Sequence, residues 1–303
     1  MTRTLRTCPL LDRPAPSTRL DAAPAPWDLR RCAETGFVYL ANPPEQHLFR
    51  DAFAWEVTHE RESLLRLHRE PVIHRLSGWM KAFRRRFLHR DKMAAVAAGL
   101  VRTAARDTAA GPLRLVDVGC GEGTLAVRVA DRLAPAVADR LEPVGIELSN
   151  VLARRADRVL RGRGGRCIHA TGIEGLAGLE RDSVQVIVLS CILEHEIEPL
   201  PLLRRCRARL AADGRIIVKV PNYACLARHV RGSRWCGYRW PDHVNYFTPA
   251  TLAAMAREAG LWVVRMNVMD RNPLSDSLYA VLGRDPAAAA DVVDAVRPLR
   301  RAA

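Results

Sequence analysis

The stretch LVDVGCGEGTLA, residues 115–126, places three glycines on alternate positions directly after an apolar run. The run over residues 113–118 predicts a buried strand, and residues 124–133 can continue the chain as a helix. Glycine has no Cβ and tolerates a positive φ, so the turn between them can bend sharply and let a ligand approach its backbone. A strand, a glycine-rich turn and a helix in this order predict the start of a nucleotide-type binding unit.

Downstream of this turn, strand-like and helix-like segments alternate. Further strands are predicted at residues 142–148, 165–171, 183–190 and 215–222, and helices at residues 150–161, 199–211 and 248–260. Asp213-Gly214 is expected to end the second of these helices. The alternation favours an α/β fold whose parallel sheet is covered by helices on both faces. Residues 261–269 and 277–283 predict an antiparallel hairpin that closes the sheet.

The regions around this core differ in composition. Residues 1–44 begin with a segment rich in Pro, Ala and Arg, which we expect to be partly disordered. Residues 45–110 predict a helical extension, residues 223–249 an insertion after the fifth strand, and residues 284–303 a tail. The core is therefore expected to span residues 111–283.

The net charge of +14 raises the question of a nucleic-acid partner. Only three of the 47 basic residues are lysines, and alanine is abundant, so the skew towards arginine is typical of a GC-rich genome. Net charge alone indicates non-specific association and not a function. We therefore interpret the charge as a property of the surface and expect no nucleic-acid partner.

Three features of the sequence bear on its compartment. It contains no apolar run of roughly 18 residues, so no membrane span is expected. The first 20 residues lack the apolar segment of a secretory signal. Eight cysteines are spread without close spacing, which favours reduced thiols in a cytoplasmic protein.

Two acidic residues accompany the glycine turn. Asp117 lies two positions before the first glycine, and Glu147 ends the second predicted strand. A carboxylate at that strand end can accept hydrogen bonds from both hydroxyls of a ribose. Glu122 inside the turn would repel a pyrophosphate, so a cationic or zwitterionic ligand is favoured.

Four segments together resemble, in order and spacing, the motifs of class I S-adenosylmethionine-dependent methyltransferases. They are VDVGCGEGTLA, GIELS, DSVQVIVLSCILEHEIEP and LAADGRIIVKVPN. Within the third, CILEHEIEP is similar to a signature of the branch that acts on small molecules. The resemblance covers about residues 111–283 and implies a Rossmann-like sheet of seven strands, mostly parallel with an antiparallel last strand. It also implies S-adenosylmethionine as the cofactor.

The resemblance implies a set of cofactor-binding positions. These are Asp117 and Gly119 at the methionine end, Gly121 and Gly123 in the turn, Glu147 at the ribose, Leu148 and Ile173 at the adenine, Gly172 beside it, and Ser190 with Cys191 in the floor. Gly172 is a departure, because members of the family often carry there an acid that binds the adenine amino group. Either Glu174 replaces that acid or the backbone alone holds the adenine.

The insertion is similar to a subgroup with VPN…W…HxxxFT after the fifth strand, where it forms part of a lid over the acceptor. Its aromatic residues wall an apolar pocket or pack within the lid itself; they are Trp235, Tyr238, Trp240, Tyr246 and Phe247. His243 is the candidate general base, unless it pairs structurally with Asp242 or Asp276. His195, on the loop after the fourth strand, is the second candidate and can alternatively cap that loop.

The N-terminal segment resembles a four-cysteine zinc module that precedes the core in some members of this subgroup. Cys8 and Cys32 are present, but Leu11 and Thr35 stand where the other two ligands are expected. Two thiolates cannot close a tetrahedral zinc site without two more ligands. We therefore predict that the module has lost its metal and that the chain binds none there.

These observations predict methyl transfer from S-adenosylmethionine to a small molecule, such as a sugar or a natural product. Oxygen, nitrogen and carbon acceptors remain open, as does the oligomeric state. One alternative is an RNA or DNA methyltransferase, although SCILEH replaces the Asn/Asp-Pro-Pro-aromatic stretch of enzymes that methylate base amines. The other is a cofactor-binding partner subunit without catalytic activity.

Overall fold

A computed structural model describes residues 5–11, 13–44, 91–108 and 111–287 of the protein. The strands are β1 (Ser17–Arg19), β2 (Leu29–Cys32), β3 (Val38–Leu40), β4 (Leu113–Val118), β5 (Leu141–Glu147), β6 (Arg166–His169), β7 (Val184–Ser190), β8 (Leu210–Pro221), β9 (Asn245–Tyr246), β10 (Trp262–Arg265) and β11 (Ser277–Gly283). The helices are α1 (Lys92–Asp107), α2 (Thr124–Ala130), α3 (Pro135–Ala138), α4 (Asn150–Arg161), α5 (Gly172–Ala177), α6 (Pro199–Arg209), α7 (Leu226–Arg231) and α8 (Pro249–Glu258).

Seven of these strands form one sheet in the order β10-β11-β8-β7-β4-β5-β6. Strands β4 to β8 pair in parallel, while β11 runs antiparallel to both β8 and β10. The predicted Rossmann-like α/β fold, with its antiparallel last strand, is confirmed. The carboxyl ends of the parallel strands meet at one edge, which is where ligands bind in such sheets.

Helices cover both faces of the sheet, as the apolar character of its central strands requires. Every residue of β7 except Gln185 and Ser190 is apolar and buried, so this strand packs on both sides. On one face α1 and α2 complete a core with Leu115 and Val186. On the other face α6 and α8 pack over Val116 and Ile187.

A second sheet joins the N-terminal segment to the insertion. Its order is β1-β2-β3-β9, with Val38 paired to Tyr246 and Tyr39 to Asn245. The expectation of partial disorder in residues 1–44 is therefore not met in the described part of that segment, which forms three strands. The apolar residues of β3 are buried against the insertion, which supplies the packing that the short strands lack alone.

The largest difference from the predicted boundaries lies between α6 and β8. Asp213-Gly214, predicted to end the helix, lies inside β8, because α6 ends at Arg209 and the strand begins at the next residue. A Cβ on Gly214 would lie 2.7 Å from the carbonyl oxygen of Val184. The absence of a side chain at Gly214 therefore lets β8 lie close to β7 at the point where the register of the two strands shifts.

Only part of the predicted helical extension falls within the described residues. Helix α1 is that part, and Asp91 caps it by accepting a hydrogen bond from the Ala94 N–H. Residues 45–90 and the tail beyond residue 287 lie outside the described residues. Among the helices that are described, none is long and apolar enough to span a membrane.

Candidate active site

The glycine turn has the backbone that the sequence predicts. The backbone φ angles of Gly119, Gly121 and Gly123 are +68°, +56° and +76°, values that residues with a side chain rarely adopt. A Cβ on Gly119 would lie 2.1 Å from Cδ1 of Ile192, whereas one on Gly121 would point into open space. The N–H groups of Gly119 and Cys120 donate to the Ile146 carbonyl at 2.7 and 3.2 Å, which fixes the turn to β5. The turn thus presents bare backbone at the carboxyl edge of the sheet.

Glu147 stands at the end of β5, next to this turn. Its Oε2 accepts a hydrogen bond of 2.9 Å from the Gly121 N–H, and its Oε1 accepts one of 2.9 Å from the Ser149 N–H. These two backbone hydrogen bonds fix the orientation of the carboxylate. Its role at the ribose, which the resemblance implies, stays a prediction.

Asp117 is the second acidic group at the turn, and only 7% of it is exposed. Burial raises its pKa to about 7, the nearby Glu147 carboxylate adds to this rise, and Arg128 partly opposes it. A cationic group bound here would favour the ionised form. The site therefore fits the ammonium end of a methionine, which agrees with the role implied by the resemblance.

Close packing around Gly172 explains why this position does not carry the acid that the family often has there. A Cβ at this first residue of α5 would lie 3.0 Å from Cγ1 of Val118 and 3.1 Å from Cδ1 of Leu202. An acid at this position would require those side chains to move. Glu174 is occupied at the helix start, since its Oε2 accepts from the N–H and hydroxyl of Thr171. This capping role favours the interpretation that backbone groups near Ile173 hold the adenine.

Two further predicted positions lie near the turn. Ser190 ends β7, and Leu148 follows β5 with its carbonyl 3.0 Å from Nε2 of His169. Cys191 has a φ of +61°, and its N–H donates to the Lys219 carbonyl at 2.8 Å. Burial raises the pKa of Cys191 to about 11, so the thiol is neutral and packs in the floor of the site.

The two candidate histidines lie together although they come from different segments. The rings of His195 and His243 meet edge to face with 4.7 Å between their centroids. Nδ1 of His195 lies 3.0 Å from the Asp242 carbonyl oxygen, and Nδ1 of His243 lies 2.8 Å from that of Gly237. A carbonyl only accepts, so each Nδ1 carries a proton. Burial, aided by the charge of Arg239, lowers the pKa of His195 to about 4.

Glu194 joins this pair, and the sequence analysis did not single it out. Only 1% of the residue is exposed, and its Oε2 has no hydrogen-bond partner among the described residues. Burial raises the pKa of its carboxyl to about 7. Its membership of the LEH motif is the one signal in the sequence that could have identified it.

Two other residues missed in the sequence analysis hold this arrangement in place. Nδ2 of Asn245 donates to the Leu193 and Glu196 carbonyls at 2.7 and 2.6 Å. Arg6 donates to the carbonyls of Leu40, Ile197 and Val244 and to Oδ1 of Asn245, all within 2.6–2.9 Å. These contacts fasten the N-terminal sheet, the loop after β7 and the insertion to one another. A single arginine in an arginine-rich segment gave no signal of this role.

The aromatic residues of the insertion divide into two groups. Trp235, Tyr246 and Phe247 are buried and pack within the insertion and against the N-terminal sheet, as one of the two predictions states. Tyr238 and Trp240 are half-buried, and their rings stack with centroids 5.4 Å apart. These two rings are the ones left to contact an acceptor.

The N-terminal segment brings together the positions of the predicted relic of a zinc module. Cys8 and Cys32 are both buried, and Sγ of Cys8 lies 3.7 Å from Oγ1 of Thr35. Burial raises the pKa of Cys8 to about 11, which opposes the thiolate that zinc requires. Leu11 packs on the apolar core beside them. The loss of metal at this pair stays a prediction.

The known proteins that this chain resembles are methyltransferases. A family model described as "Methyltransferase domain" matches residues 74–265. The ubiquinone biosynthesis O-methyltransferase of Cupriavidus pinatubonensis (strain JMP 134 / LMG 1197) is 32% identical over 179 residues, which cover 57% of this chain and 68% of the relative. The enzyme of that name from Ralstonia nicotianae is 29% identical over 169 residues, with coverages of 54% and 68%. The crystal structure of the CurJ carbon methyltransferase overlays with a TM-score of 0.48 at 16% identity, covering 80% of this chain and 72% of that one.

The family model matches more than half of the length of this chain. The chain therefore belongs to the methyltransferase-domain family and is an S-adenosylmethionine-dependent methyltransferase.

Proposed function

We propose that the protein transfers a methyl group from S-adenosylmethionine to a hydroxyl oxygen of a small molecule. The observation that carries this proposal is the contact between His195 and His243, whose Nδ1 atoms are held by backbone carbonyls near the glycine turn. Ile192, three residues before His195, packs directly on Gly119 and links the two regions. The names of both relatives as O-methyltransferases support oxygen as the acceptor atom.

The residues around the turn would hold the methyl donor, which supplies an electrophilic methyl group on sulfur. Asp117 would face its ammonium group, and Glu147 would accept from its ribose hydroxyls. Gly119 and Gly121 let the methionine part lie against the backbone. Because donor and acceptor are held by one rigid edge of the sheet, their alignment lowers the barrier to in-line transfer.

The histidines would remove the proton of the acceptor. A hydroxyl keeps its proton at neutral pH, so transfer to oxygen gains from a base within hydrogen-bond reach. The carbonyls of Asp242 and Gly237 fix the rings with Nε2 unprotonated. A base of this kind contributes roughly 10²–10⁴ in rate.

The acceptor class follows from the half-buried ring pair. Tyr238 and Trp240 offer aromatic faces at the same insertion that carries His243. Aromatic faces favour ring-shaped partners such as sugars or aromatic natural products. We therefore infer a tailoring reaction on a cyclic small molecule that carries a free hydroxyl.

Methyl transfer from deuteromethyl S-adenosylmethionine to a mixed panel of acceptors tests the proposal. The panel contains cyclic molecules with a hydroxyl, an amine or an activated carbon, and a short RNA. Mass spectrometry should find the label on hydroxyl oxygens, with S-adenosylhomocysteine released in equal amount. Label found only on nitrogen, on carbon or on the RNA would refute the assignment to oxygen of a small molecule.

A further inference from the structure

We propose that Glu194, His195 and His243 form a binding site for one divalent transition-metal ion, with Zn²⁺ as its best occupant. Each of the three side chains offers one ligand atom, and these atoms all lie within 4.8 Å of one another. The inference rests on the proposed function, because the ion would sit where the acceptor hydroxyl is activated. It assigns to the three side chains a joint role as ligands of one ion, in addition to the role of the histidines as bases.

The spacing suits a transition metal after small side-chain rotations. Zinc binds histidine nitrogen at about 2.0–2.1 Å and carboxylate oxygen at about 2.0–2.2 Å, so its ligands stand roughly 3–4 Å apart. Two histidines and one glutamate are a donor set of catalytic zinc sites, which leave a further coordination position for water or substrate. The three residues come from two segments that backbone hydrogen bonds join, since the Glu194 carbonyl accepts from Val244 and Asn245.

Both imidazoles have the second hydrogen bond that is typical of metal-ligating histidines. Such residues almost always donate the other ring N–H to a carboxylate or a backbone carbonyl, which fixes the ring and its tautomer. Here the Asp242 and Gly237 carbonyls receive Nδ1–H of His195 and His243 at 3.0 and 2.8 Å. Nε2 is thus the ring nitrogen that each histidine has for an ion.

Glu194 supplies an independent indication. Its Oε2 is buried and has no hydrogen-bond partner among the described residues. Buried polar atoms are nearly always satisfied, and an exception calls for an explanation such as an ion. An ion between Glu194 and the two imidazoles would satisfy this carboxylate oxygen.

The neighbouring charges select the kind of ion. Arg239 lies near Glu194 and His195, but it is paired with Asp242 at 3.1 Å, and Lys219 also lies near Glu194. Two cations weaken a site that holds its metal by charge alone, as Mg²⁺ and Ca²⁺ sites do. Nitrogen ligands instead favour zinc and its first-row neighbours.

The ion would change how the acceptor loses its proton. An acceptor hydroxyl on the open coordination position becomes more acidic, and its proton passes to water. The oxygen then keeps the electron pair that forms the new bond to the methyl carbon, while the carbon–sulfur pair stays on sulfur. The metal-bound and the metal-free forms are therefore two states of one site.

Metal titration of the full chain tests this inference. The probes are Zn²⁺, followed by elemental analysis after dialysis, and Co²⁺, followed by its visible absorption. Cys8→Ser/Cys32→Ser serves as the background for all samples, because this thiol pair could compete for the ion. A second thiol pair, Cys120 and Cys167 with 3.8 Å between their sulfur atoms, stays in place, and thiolate charge-transfer absorption would reveal an ion held there. We expect one Zn²⁺ per chain, d–d bands for Co²⁺ without thiolate charge-transfer absorption, and at least a tenfold loss of affinity in Glu194→Gln and His243→Gln.

The contrary results are equally specific. No ion retained by the Cys8→Ser/Cys32→Ser background, or retention that is unchanged in both ligand variants, would overturn the metal site. Circular dichroism identifies a variant that fails to fold, and His195→Gln then provides a third ligand change. Binding of S-adenosylhomocysteine, measured in the same samples, reports on the proposed function separately, because the metal ligands lie outside the cofactor positions.

Discussion

The Gly121 N–H donates to Oε2 of Glu147 over 2.9 Å, so the glycine turn and the end of β5 form one unit before any ligand binds. The second oxygen of Glu147 is held by the Ser149 N–H at the start of α4. Pre-orientation of this kind reduces the loss of side-chain freedom on binding. The predicted cofactor site is thus ordered by the protein's own hydrogen bonds.

Cofactor binding should release protons below pH 7 because of Asp117. Its pKa is raised to about 7 in the free protein, so the carboxyl is largely protonated at pH 6, and a bound ammonium group favours its ionised form. Affinity for S-adenosylhomocysteine should therefore rise with pH up to about 7 and then level off. Calorimetry in buffers of different ionisation enthalpy measures the protons released.

Asp117→Asn should abolish this proton release, whereas Asp131→Asn, a change at an exposed carboxylate near the end of α2, should retain it. The raised pKa also means that ionisation opposes folding of the free protein. As the pH rises from about 4 to 7, the free energy of unfolding of the wild type should therefore fall, and that of Asp117→Asn should fall less. Proton release that persists in Asp117→Asn would assign it to another group.

Gly119→Ala should destabilise the turn more than the matched change Gly164→Ala. Both glycines have a positive φ, +68° and +74°, so both variants incur a backbone strain of about 1–3 kcal/mol. Only at Gly119 does the new Cβ meet Ile192, at 2.1 Å, while Gly164 has open space. Urea unfolding should show the larger loss for Gly119→Ala, with part of it recovered in Gly119→Ala/Ile192→Ala. Equal losses in the two glycine variants would exclude the contact with Ile192 as a cause.

Arg6→Ala should lower stability and catalysis without weakening cofactor binding. The change removes four hydrogen bonds that Arg6 donates, although the Val244 carbonyl keeps another donor, the Leu40 N–H. An acceptor left buried without a donor costs about 1–3 kcal/mol. Arg13→Ala removes an exposed arginine of the same segment and should change little. Urea unfolding and calorimetry with S-adenosylhomocysteine measure the two effects. A stable Arg6→Ala protein with full turnover would show that the N-terminal sheet does not support the histidine pair.

Leu11→Cys/Thr35→Cys should create a zinc site in the N-terminal segment. Thr35 lies 3.7 Å from the Cys8 thiol, and the turns after Cys8 and Cys32 are closed by backbone hydrogen bonds. Four cysteines would supply the ligands of a structural zinc site. Elemental analysis should find one more zinc than in the wild type. A stoichiometric zinc that the wild type loses on Cys32→Ser would instead contradict the predicted relic.

The parts of the site that depend on local patterns could be predicted from the sequence. The glycine turn and Glu147 follow from the ends of two predicted strands. Gly172 was recognised as a departure, but its reason lies in Val118 and Leu202, which are distant in sequence. Local pattern contains no information on such contacts.

The parts that depend on long-range contacts could not be predicted. His195 and His243 were found separately, but their contact depends on hydrogen bonds made by Asn245 and Arg6. The N-terminal strands are only three or four residues long and obtain their stability from pairing with β9. Short strands of this kind resemble irregular chain when their partner is unknown.

Calorimetric titration of S-adenosylhomocysteine into the wild type, Glu147→Ala and Glu142→Ala tests the central claim most directly. Glu142 lies near the opposite end of the same strand and pairs with Arg114, so its loss removes an equal charge away from the turn. Loss of hydrogen bonds to a charged group costs about 1.5–3 kcal/mol, so Glu147→Ala should weaken binding roughly 10- to 150-fold. Glu142→Ala should bind as the wild type does. Unchanged affinity in Glu147→Ala would contradict the placement of the cofactor across the glycine turn.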